Sequence, residues 1–143
     1  MGKRERVMKH LIAIIAALGA SVPALATDIT QPGLAELKWV SRPIVIFADS
    51  PADPRLAQQL ASLEQNQADL DERDVVVLVD TDPGTLSDLR RKFRPRDFNV
   101  LVIGKDGEVK YRKPNPITVR EVIRLIDRMP MRQQELEALR ATQ

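Results

Sequence analysis

Two stretches of this chain leave few choices about how it folds. Pro43 to Ala48 and Val75 to Val79 are unbroken apolar runs, rich in β-branched residues and only five or six residues long. That is too short for a free-standing helix, and a half-exposed strand would alternate with polar side chains. Both runs therefore read as strands covered on two faces. The first leads into Asp53-Pro54, an N-cap followed by a proline at the first helical position. Leu56, Leu60, Leu63, Gln67 and Leu70 then recur at steps of three and four, which predicts one inward helical face. The second run passes Asp82-Pro83-Gly84, where Asp82 is placed to cap a short helix carrying Leu86, Leu89 and Phe93 and ending before Pro95.

Further along, Val100 to Ile103 and Glu108 to Arg112 flank Gly104-Lys105-Asp106-Gly107. Gly107 can take a positive φ and Asp106 can hydrogen-bond its own backbone, so a hairpin is expected. Its first arm is wholly apolar, as in a central strand; its second alternates, with Val109 and Tyr111 on one side, as at an edge. Thr118 and Glu121 have capping-box spacing ahead of Val119, Val122, Ile123, Ile126 and Met129, the inward face of another helix. Pro130 interrupts, and Arg132 to Arg140 predicts one more polar helix anchored by Leu136 and Leu139. Trp39, beside the first strand, is expected in the core. Strand-helix units closed by a hairpin and a packing helix are the thioredoxin-like arrangement: an α/β three-layer sandwich with a central mixed four-stranded sheet flanked by helices.

The first 26 residues read as a cleavable signal-peptide helix. Lys3, Arg4, Arg6, Lys9 and His10 form a basic start, Leu11 to Leu18 an apolar run, and Ala24-Leu25-Ala26 a small-residue cleavage site. Leu11 to Ala26 is interrupted by Gly19, Ser21 and Pro23 and falls short of the roughly 20 residues a bilayer span needs. The expected domains are thus 1–26 and 27–143, and the expected address is periplasmic or secreted. Loss of the leader takes four of the 22 basic and one of the 20 acidic side chains, so the net charge moves from +2 to −1. A general affinity for nucleic acid is not supported. The chain has no Cys, and its only histidine, His10, leaves with the leader. Disulfide exchange, Ser-His or Cys-His nucleophile pairs, and zinc sites built on thiolate or imidazole are excluded for the processed chain. No cofactor is expected.

Four segments carry a family resemblance: Trp39 to Ala48, Glu72-Arg73-Asp74, Leu101 to Gly107, and Ile126-Asp127-Arg128-Met129-Pro130-Met131-Arg132. Over about residues 34 to 141 the chain resembles the domain-of-unknown-function family numbered 4174. The resemblance implies an exported domain of thioredoxin- or peroxiredoxin-like fold, found in bacterial secreted proteins and related to domains of animal extracellular matrix proteins with sushi repeats. It implies no activity.

In thioredoxin-like proteins the reactive Cys-x-x-Cys sits where the first strand turns into its helix, whose N-terminus stabilises a thiolate. Here that corner is Asp49-Ser50-Pro51-Ala52-Asp53-Pro54. Ser50 and Asp53 keep the two-residue gap without the sulfur. Ligands of open α/β sheets bind outside the C-terminal strand ends, so Asp49, Ser50, Asp53, Asp80 and Asp82 form a candidate ligand or cation cluster, in which crowding would raise one carboxyl pKa. The same residues also suit helix caps and strand ends. A second candidate is the basic group Arg90, Arg91, Lys92, Arg94 and Arg96 around Phe93 and Phe98, suited to a polyanion or to a solvated helix end. A third is a docking surface at Met129, Met131 and Arg132. The leading reading is a non-catalytic interaction module whose partner is another envelope or extracellular protein. The alternative is a ligand- or cation-binding protein, or a hydrolytic enzyme, using the Asp/Ser cluster.

Overall fold

The computed structural model describes residues 31–143, so the leader at 1–26 lies outside the described residues. Strands β1 (Arg42–Phe47) and β2 (Val75–Asp80) run parallel, with Ile44 opposite Val77. β3 (Asn99–Ile103) pairs antiparallel on the other side of β1, and β4 (Val109–Lys113) antiparallel beyond it. The sheet order is β2-β1-β3-β4.

The central strands are continuous apolar runs because each alternates between two cores. Ile44, Ile46, Val100 and Val102 pack with Leu56 and Leu63 of α2 (Pro54–Gln65) and with Val122 and Ile126 of α5 (Val119–Asp127). Val45, Phe47, Leu101 and Ile103 face the other way, onto Leu37 of α1 (Leu34–Leu37) and Phe93 of α4 (Asp88–Phe93). The Phe47 and Phe93 rings meet edge to face, 6.3 Å between centroids. This is the expected three-layer architecture.

The local signals are met at several points. Asp53 caps α2, Thr118 and Glu121 form a reciprocal capping box on α5, and Gly107 has φ 81° in the hairpin. Other expectations are corrected. The inward face of α2 is Leu56, Gln59 and Leu63 with Leu60 packed at its side, and it goes no further because the helix stops at Asn66, whose amide bonds back to the Ser62 carbonyl. Gln67 is exposed, and Leu70 reaches the core from a separate turn, α3 (Gln67–Asp71). Gln59 is buried because its amide bridges both backbone groups of Ile117, at 2.8 and 3.0 Å. Trp39 is 61% exposed at φ 69°, since this left-handed residue turns its side chain away while its N–H bonds Lys105 O. Leu86 is 65% exposed, because α4 begins only after it. Among the described residues, no helix is long and apolar enough to cross a membrane.

The last helix, α6 (Pro130–Ala141), is attached mainly by charge: of the two expected leucine anchors, Leu136 is half-buried and Leu139 is exposed. Fully buried Arg42 grips Glu135 in a fork at 3.0 and 3.2 Å and also donates to Arg73 O. Lys105 bridges Asp74 at 2.8 Å and Glu135 at 2.7 Å. Arg132 bonds the Glu72 carboxylate and carbonyl, and Arg73 bonds Asp127 at 2.8 Å. Burial raises the Glu135 carboxyl, but Arg42 and Lys105 outweigh that and hold it below its ordinary value. Two segments that carried the family resemblance, Glu72 to Asp74 and Ile126 to Arg132, therefore meet in one ion-pair layer at the N-terminal end of the parallel strands.

Candidate functional site

At the opposite end of the sheet, β1 gives way to Asp49 and Ser50, β2 ends at Asp80, and the Arg94–Asp97 loop descends into β3. These segments surround an open cleft of about 500 Å³ lined by Asp49, Pro83, Leu86, Arg94, Arg96 and Asp97, with Arg90 at its floor. Two of its residues, Arg94 at φ 46° and Asp97 at φ 55°, hold left-handed backbone without being glycine. Such conformations persist only where neighbours over-determine them. Arg94 is pinned by its N–H to the Arg90 carbonyl, as the C-cap of α4. Asp97 is pinned by Arg55, whose guanidinium spans Asp97 at 2.8 Å and Asp53 at 2.7 Å and lies over the Phe98 ring.

The five acidic or hydroxyl candidates do not act as one group. Asp53 accepts from the Arg55 backbone and side chain, and the Arg55 hydrogen bond holds its carboxyl below the ordinary range. Asp80 is no solvent-facing strand end: its side chain is 10% exposed and takes a 2.7 Å bond from Arg90 Nε and another from the Ser87 hydroxyl. Burial raises the Asp80 carboxyl, yet the bonds from Ser87 and Arg90 together leave it lowered. Asp82 closes a turn by accepting from Gly84, Thr85 and the Thr85 hydroxyl, and that last bond lowers its pKa first. The helix it was expected to cap is capped instead by Ser87. Ser50 Oγ accepts from the Ala52 N–H. Asp49 alone is exposed with no hydrogen-bond or ion-pair partner among the described residues. Asp53, Asp80 and Asp82 each have their own donors, so their pKa directions are downward and not the upward one that crowding would give. Among the described residues, no group of three or more carboxylates is placed to hold a metal ion.

The basic candidates divide as well. Arg90 is 6% exposed and belongs to the interior, where Nη2 donates to the Ala48 carbonyl at 3.0 Å and the guanidinium lies over Phe47. Arg91 pairs loosely with Asp88, and Lys92 lies over Phe93 and faces a different cavity near Leu34 and Gly107. Arg94 and Arg96 are exposed in the cleft, and their side chains have no partner among the described residues. The docking surface expected at the last helix is corrected: Met129 and Arg132 are buried, at 8% and 2%, Met131 is half-buried, and Arg132 is held by Glu72. Sequence reasoning missed the role of Arg55, although an Asp-Pro-Arg start to a helix places a cation two residues from its cap.

The geometry has known counterparts. A solved Plasmodium vivax 2-Cys peroxiredoxin, in its reduced form, aligns with a TM-score of 0.57 at 14% identity, covering 71% of this chain and 84% of that one. Thioredoxin-2 of the malaria parasite, described as a component of the protein secretion machinery, aligns with a TM-score of 0.50 at 17% identity, covering 62% of this chain and 84% of that one. At such identities the likeness shows the fold alone. The family described as "Domain of unknown function (DUF4174)" matches residues 33–135. The chain thus belongs to the DUF4174 family, as a thioredoxin-like domain whose corner carries serine and aspartate and whose sequence contains no cysteine.

Proposed function

We propose that this protein is an exported module that works by binding, its cleft at the C-terminal end of the parallel strands receiving an acidic surface of another envelope or extracellular protein. The observation that carries this reading is the fate of the charges around the cleft. Arg90, Arg55, Asp53, Asp80 and Asp82 are all committed to internal contacts, while Arg94 and Arg96 are exposed and unpaired on a loop held rigid from both ends. Two unpaired guanidinium forks carried on a backbone pinned at Arg94 and Asp97 support recognition of carboxylates. Thiol chemistry is excluded by composition. The basic, apolar and small-residue order of residues 1–26 supports export.

A heparin-derived decasaccharide serves as a polyanion probe. The purified protein binds it at low salt and releases it as salt rises, and Arg94→Glu/Arg96→Glu weakens binding at least about tenfold with an unchanged melting temperature. Flow-through at low salt, or equal binding by the double variant, sinks the reading. For export, protein recovered from the envelope fraction starts at Thr27 on N-terminal sequencing; an intact Met1 terminus contradicts that part.

A further inference from the structure

Among the described residues β4 pairs only with β3, across a register shift at Val102/Ile103, so its other side leaves a row of N–H and C=O groups along Val109–Lys113 without a strand partner. Val109 and Tyr111 are exposed there. Beside that edge lies a groove of about 250 Å³, floored by Tyr111, Ile117 and Leu125 and rimmed by Glu121, Arg124 and Arg128.

The helix bordering the groove, α5, carries Arg120, Arg124 and, at its C-cap, Arg128, at successive steps of four. All three are exposed, and none of their side chains has an ion-pair or hydrogen-bond partner among the described residues. Like charges four apart weaken a helix. The macrodipole favours cations at Arg124 and Arg128 near the C-terminal end but disfavours one at Arg120 in the first turn. Helix stability does not explain the row. Four residues of helix advance about 6 Å, and alternate residues of a strand are about 6.6 Å apart, so the repeat of the arginines matches that of every second side chain on an added strand. The cations on the edge itself, Lys110 and Lys113, are already paired with Asp106, Glu108 and Glu121, so the arginine row is the unpaired charge beside the edge, and a β4-to-β4 pairing of two molecules would bring two such rows together. The charge disfavours a second copy and suits an acidic chain.

We infer that the β4 edge and the arginine row of α5 form a docking site for an extended acidic segment of a partner protein, which adds as a fifth strand and sets alternate carboxylates against Arg120, Arg124 and Arg128. Backbone pairing supplies attachment and the row supplies selectivity. This site shares no residue with the cleft.

The test uses a labelled ten-residue peptide alternating Glu and Val, with a Lys–Val counterpart, against the purified protein. Anisotropy gives binding of the Glu peptide at least tenfold tighter than of the Lys peptide. Arg124→Glu/Arg128→Glu weakens it at least tenfold, and Arg124→Gln/Arg128→Gln weakens it less. Amide exchange at Val109–Lys113 slows in the complex. Equal binding of the Lys peptide, an Arg124→Glu/Arg128→Glu variant that binds as tightly as the parent, or binding with no slowing along β4 each overturns the inference. So does sedimentation that shows the free protein pairing with itself through this edge.

Discussion

Replacing Arg90 by Met isolates the contact that shapes the cleft floor. Methionine keeps much of the stem that packs by Phe47 but removes three hydrogen bonds: Nε to Asp80 at 2.7 Å, Nη2 to the Ala48 carbonyl at 3.0 Å, and Nη2 to the Asp80 carbonyl at 3.3 Å. Asp80 is left as a nearly buried carboxylate with only the Ser87 hydroxyl and the Asp82 N–H. Breaking a buried pair from one side costs about 3–5 kcal/mol, and the surviving donors place this case near the low end, about 3 kcal/mol. For a domain of this size that lowers the melting temperature by roughly 10–15 °C. The pH dependence has a definite sign. In the parent protein the Asp80 carboxyl is lowered, so its stabilising contribution is present above the unfolded carboxylate pKa and fades as pH falls through the depressed folded value. In Arg90→Met, burial without the guanidinium raises that carboxyl, so protonation relieves the variant, and the gap in melting temperature narrows from pH 7 towards pH 4. Asp80→Asn in the Arg90→Met background recovers part of the loss at pH 7. A single variant melting within about 2 °C of the parent, or a gap that widens in acid, refutes the reasoning.

Two other expectations come from the interior. Arg42→Met leaves Glu135 without its fork and costs about 3 kcal/mol in urea unfolding, with little change when salt is raised, because the pair is shielded from ions; a loss that disappears in salt contradicts it. Gln59→Leu strands the buried N–H and C=O of Ile117 and costs about 2 kcal/mol or more despite being more apolar; a stabilised variant would show that water or a backbone shift replaces the amide.

Strand and helix positions were legible because their causes are local. β-branched runs, Asp53-Pro54, the Thr118–Glu121 box and Gly107 each act within a few residues. Asn66 was the local exception, as its side-chain bond to Ser62 O ended a helix whose apolar spacing continued. The site was harder to read because charge on paper does not distinguish a solvated arginine from one consumed inside. Arg90 finds Asp80 ten residues away and Ala48 across the sheet, and Arg42 finds Glu135 93 residues away. The Arg90 contacts removed it from the expected basic group, and bonds to Glu72, 60 residues away, removed Arg132 from the expected docking surface. Arg94 and Arg96 stayed on the cleft because neither side chain forms an ion pair among the described residues.

The most direct measurement is an amide chemical-shift map of the protein titrated with the heparin decasaccharide. Binding through the cleft predicts saturable shifts concentrated at Asp49, Leu86 and Arg94 to Asp97, abolished by Arg94→Glu/Arg96→Glu. Shifts confined to other surfaces, or a spectrum that does not change at low salt, would contradict the account.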